Sequence, residues 1–141
     1  MITSFNKKYL KMFNECFDKD NEYYAKYINL VNTHLSKQNS MSDTQYYKYS
    51  ERCDVHHIVP RAYFKNVDII DKEIINDNKN LVTLPYDKHM LAHWYMYQCS
   101  NKVIHRSMTL ALMLMLKKAI KVGGLTDTVI NQLIKSFARN R

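Results

Sequence analysis

The sequence predicts an α+β fold that is mostly helical: a two-stranded antiparallel ribbon plus one helix, flanked by N- and C-terminal helices. Three observations predict it. Two short β-branched runs, 55–60 and 80–85, lie in the middle of the chain. Long stretches on both sides carry apolar residues at helical spacing. The length of 141 residues, 46% hydrophobic and 12% aromatic, suits a single domain with a modest core. The expected organisation is one domain over 1–141: an N-terminal helical region (1–50), a ribbon-and-helix core (51–100) and C-terminal helices (101–141).

The elements follow in order. Tyr9, Leu10, Phe13 and Phe17 predict a helix over 5–18; Tyr24, Tyr27, Ile28, Val31 and Leu35 predict another over 21–36. The polar stretch 37–44 reads as a loop. Residues 46–59 suit an irregular lead-in and a strand that ends at Pro60, which has no amide to donate. A polar connection over 61–79 holds a short helix near 68–75. The second strand covers 80–85, and Pro85 opens a helix to about Cys99 with Asp87 in its first turn. The next helix, 103–122, is apolar nearly all round at 108–116, which predicts a buried middle. Gly123-Gly124 stops it, and Thr126 caps a last helix to about Ala138.

The net charge of +8 biases the chain toward a polyanionic partner. No apolar run is long enough to span a bilayer, and the N-terminus lacks a signal-peptide apolar stretch, so no membrane partner and a cytoplasmic location are expected. Cys16, Cys53 and Cys99 are widely spaced with no CxxC pair, which argues against a disulfide scaffold and a four-cysteine zinc site.

Four of the six histidines fall between 56 and 93. His89 and His93 are one helical turn apart and share a face, which suits two imidazoles on one metal. His56 or His57 is the source of a third ligand. Neighbouring strand residues point to opposite faces, so the pair divides its work: one imidazole binds metal and the other is free to deprotonate water. Taken singly, each feature has a plainer reading, as a surface or core histidine or, for Asn80, a turn residue.

In order, Val55-His56-His57-Ile58-Val59-Pro60, Asn80-Leu81-Val82 and His89-x3-His93-Trp94 resemble the HNH endonucleases, whose fold is the ββα-metal or His-Me finger. The match covers 52–97, a third of the chain. Its wording, Pro60-Arg61-Ala62-Tyr63-Phe64 and the helix around His89 and His93, is similar to free-standing phage homing endonucleases of this class. The resemblance implies one divalent ion, Mg²⁺, Zn²⁺ or Mn²⁺, held by His56 and His89. His93 is a third ligand or, with Mg²⁺, a phosphate contact. His57 is the general base, and Asn80 completes the catalytic motif by bracing the loop beside it. Asp54 orients a histidine from behind. The implied activity is hydrolysis of double-stranded DNA by nicking, leaving a 5′ phosphate, in the cytoplasm of a bacterial host.

DNA contacts are expected from Arg61, Arg106 and Lys117, each of which also reads as a solvated surface charge. Target choice falls to the flanks, including Tyr46, Tyr47 and Lys48 and the helix carrying His105. The chain is expected as monomer or homodimer, the latter for a double-strand break. The segment 61–79 departs from family members in lacking glycine. The rival readings are a non-catalytic, metal-stabilised DNA-binding module and a helical interaction domain for an acidic partner.

Overall fold

Asparagines open the first two helices: the side chains of Asn6 and Asn21 accept from the backbone amides of Lys8 and Tyr23. The computed structural model describes residues 4–122 together with Thr128, Asn131, Gln132 and Lys135. The order is α1 (Lys7–Asn14), α2 (Glu22–Asn39), α3 (Asp43–Ser50), β1 (Cys53–His57), α4 (Arg61–Asn66), α5 (Lys72–Ile75), β2 (Leu81–Pro85), α6 (Tyr86–Cys99) and α7 (His105–Val122). The expected last helix and the Gly123-Gly124 stop fall outside the described residues, those four positions apart.

The fold class is as predicted. β1 and β2 pair antiparallel, with His56 opposite Val82 and His57 opposite Leu81. α6 follows β2 directly at Pro85 and packs between α2 and α7. The ribbon, α6 and the helices around them enclose a core rich in aromatics. Phe13 stacks on Phe17 at 4.0 Å and on Tyr27 at 4.9 Å, and all three are buried. Two backbone hydrogen bonds, Asp18 N to Cys99 O and Asn101 N to Cys16 O, tie the turn after α1 to the end of α6.

Five expectations need correction. The expected loop over 37–44 shrinks to three residues, because α2 continues to Asn39 and α3 starts at Asp43. The expected lead-in, with Tyr46, Tyr47 and Lys48, is largely helix α3. It is set by a capping box in which Ser42 accepts from the Gln45 amide and Gln45 accepts from the Ser42 amide. The strand ends at His57 rather than at Pro60. The connection 61–79 begins with helix α4, whose Tyr63 and Phe64 are buried.

The missing glycine there is explained. α4 ends with Asp68 in the left-handed region at φ 58°. The Asp68 amide bonds Lys65 O, and the Ile69 amide bonds Phe64 O at 2.8 Å. A short aspartate thus fills the position that a glycine takes in most such helix ends.

The fifth correction concerns α7. Its middle is buried on one side only, through Met108 and Leu112, while Leu110, Met113 and Leu114 are exposed. An apolar run longer than one helical turn goes all round the helix, and here, among the described residues, it is the face with Met108 and Leu112 that is buried.

Candidate metal centre and its cleft

Strand β1 and helix α6 bring three imidazoles together. One ring nitrogen from each of His56, His89 and His93 lies within 4.8 Å of the other two. The ring centroids are 4.9 to 5.2 Å apart. His89 and His93 reach this point because they are one turn apart on α6, and His56 because its side of β1 faces that helix.

Each ring has a distinct setting. His56 is 2% exposed, and its Nε2 lies 2.9 Å from the Tyr27 hydroxyl, which donates at 2.7 Å to the Ile58 carbonyl. Nδ1 of His89 donates at 3.0 Å to one oxygen of Asp54. The other Asp54 oxygen lies 3.7 Å from Nζ of Lys118 on α7. Nδ1 of His93 is buried and has no hydrogen-bond partner among the described residues. A buried polar atom left so costs about 1–3 kcal/mol. An ion bound through that nitrogen would offset the cost, and neutral imidazole is the form that ligates.

The electrostatics favour that neutral form. Burial holds His56 well below the usual histidine range, and the neighbouring imidazoles add to the effect. Burial lowers His93 to about 3. His89 is also lowered by burial, with Asp54 working in the opposite direction. Burial keeps the Tyr27 phenol protonated far into the alkaline range.

The three ring nitrogens lie close enough to hold one ion. Three imidazole nitrogens with open positions suit Zn²⁺ and similar borderline ions. Mg²⁺ prefers oxygen, and the nearest carboxylate, Asp54, is engaged by His89 and Lys118.

His57 is outside the three-ring cluster but lines the same cleft of about 380 Å³, as do Arg61 and the α7 residues Ser107 and Ala111. Its Nε2 lies 2.7 Å from Oδ1 of Asn76, and the pair is open to solvent. The two adjacent histidines therefore have different settings, one buried against Tyr27 and one half-buried at the rim.

Asn80 is fully buried and bonded on every side. Its Oδ1 accepts from the Val59 amide at 2.7 Å, and its Nδ2 donates to the carbonyls of Val59 and Ile75. Its backbone carbonyl accepts from the Ile58 amide. The side chain pins the turn that follows His57.

Of the other expected residues, Asp54 is behind His89 and Arg61 is at the cleft. Arg106 and Lys117 are exposed on α7 and do not line the cleft. Three participants had no visible signal in the sequence: Tyr27, Asn76 and Lys118. Tyr27 and Lys118 come from helices outside the histidine motif, and Asn76 lies within it, just after α5, at a position with no motif residue. Comparisons with protein-family models, curated proteins and solved structures returned no match.

Proposed function

We propose that this chain is a metal-dependent endonuclease of the HNH class acting on double-stranded DNA. The observation that carries the reading is the division of labour among the histidines. Three imidazoles converge on one point, and a fourth, His57, stands apart in the same cleft. A purely structural metal site needs the three and has no use for the fourth.

In this reading His56, His89 and His93 hold a divalent ion, with Zn²⁺ favoured over Mg²⁺ by the donor set. When bound, the ion supplies positive charge for a phosphate oxygen and the leaving 3′ oxygen. His57 takes a proton from a water aligned with the scissile phosphorus, using the ring nitrogen that does not face Asn76. Asn80 keeps the backbone after His57 in place. Arg61 at the cleft meets a phosphate, and the exposed cations Arg106, Lys117 and Lys121 of α7 extend the contact with the backbone outside the cleft. The product carries a 5′ phosphate, and one cleft per chain cuts one strand.

Nicking of a supercoiled plasmid with added Zn²⁺, Mn²⁺ or Mg²⁺ tests the proposal. The expected result is metal-dependent conversion to the open circle, reduced at least about 100-fold in His57→Ala. Wild-type nicking by His57→Ala would remove the base assignment. DNA binding without cleavage under any metal would leave a non-catalytic module instead.

A further inference from the structure

We propose that Tyr27 decides which nitrogen His56 presents to the ion, so that the centre is bound through Nδ1 of His56 and Nε2 of His89. The inference rests on the metal-site reading above and concerns the groups behind the ligands. Tyr27 comes from α2, outside the segment that carries the histidine motif.

The argument is a proton count. A phenol has one proton to donate. The Tyr27 oxygen is 2.7 Å from the Ile58 carbonyl oxygen and 2.9 Å from Nε2 of His56. A carbonyl can only accept, and two oxygens at 2.7 Å without a proton between them repel. The phenol proton therefore goes to Ile58. Toward His56 the phenol oxygen can only accept, so Nε2 of His56 carries the ring proton. In a neutral imidazole that leaves the lone pair on Nδ1.

The same count applies to His89 with the opposite result. Asp54 is an acceptor on both oxygens, so Nδ1 of His89 is the protonated nitrogen and Nε2 has the lone pair. One phenol and one carboxylate thus set the two rings in opposite tautomers. The contact to Tyr27 is buried away from the solvent surface. Tyr27 is a positioning residue, as it acts on the ion only through His56.

The test uses the full chain with ¹⁵N-labelled histidine and Zn²⁺ as the probe. Ring ¹⁵N spectra are expected to show His56 protonated at Nε2 before and after Zn²⁺, with its Nδ1 resonance moving on binding. His89 should show the reverse. Tyr27→Phe keeps the ring that stacks on Phe13 and removes only the hydroxyl. It is expected to weaken Zn²⁺ binding about 10- to 100-fold and to let His56 populate both tautomers.

Zinc bound through Nε2 of His56 overturns the inference, as does wild-type affinity in Tyr27→Phe. Neither outcome touches the metal site itself. Absence of Zn²⁺ binding by the unaltered chain overturns the metal-site reading and takes this inference with it. The unaltered chain's spectrum decides the tautomer even if Tyr27→Phe fails to fold.

Discussion

At the scale of single residues, the site histidines make the chain sensitive to acid. His56, His89 and His93 all have pKa values lowered by burial, that of His93 to about 3. Above pH ~6.5, the usual histidine value, both folded and unfolded chains hold them neutral, and their full contribution is present. As the pH falls through that value the unfolded chain takes up protons that the folded chain refuses. Stability therefore declines from there toward pH 3. Asp54 softens the effect at His89 by favouring its charged form, and Lys118 opposes Asp54. Urea unfolding of the metal-free chain at pH 7 and pH 4.5 measures this. The midpoint is expected to fall, and to fall less in His93→Leu, which has one fewer proton acceptor. Equal midpoints at the two pH values in the unaltered chain would contradict the buried-neutral picture.

At the scale of elements, short segments are held by local caps rather than by length. Helix α3 has eight residues, none of them buried, so its capping box matters more than it would in a packed helix. Ser42→Ala is expected to cost about 1 kcal/mol in urea denaturation. Helix α3 also matters to the ribbon, because Tyr46 bonds the hydroxyl of Thr83 in β2 at 2.7 Å. Ser42→Asp should keep the cap and the stability; equal loss in both variants would show that the box is not the cause. Helix α7 shows a different principle. One face packs, another borders the cleft through Ser107 and Ala111, Lys118 reaches Asp54, and Leu110 and Leu114 are exposed among cations.

At the scale of the whole molecule, the aromatic core and the histidine cluster are one structure. Phe13 supports Tyr27, and Tyr27 supports His56. Phe13→Ala is expected to cost about 3–5 kcal/mol, a large part of the roughly 5–15 kcal/mol that holds a domain. It should also weaken Zn²⁺ binding, although Phe13 is not among the three candidate ligands. Thermal melts with and without Zn²⁺ check this. The ion should raise the midpoint of the unaltered chain by mass action, and raise that of Phe13→Ala by less. An equal rise in both would separate the core from the site.

Much of the candidate site was legible in the chain itself. His89 and His93 share a helix face by spacing alone, and the ribbon follows from two β-branched runs with prolines at their ends. Ser42 and Gln45 also carried a readable cap, which the tyrosine-rich sequence after it obscured. Helix α4 was harder, since its stop is an aspartate where glycine is the usual signal. The exposure of Leu110 and Leu114 was not readable at all. Hydrophobicity does not say which sides of a helix have a neighbour.

By itself the sequence determined the ribbon-and-helix core and the identity of the clustered histidines, because local periodicity and spacing act within a few residues. Only the tertiary structure decided that His56 joins His89 and His93 while His57 does not. It alone brought Tyr27 from α2 behind His56 and Lys118 from α7 to Asp54, behind His89. The reason is that a ring nitrogen's role depends on the partner of the other nitrogen, and those partners are tens of residues away along the chain.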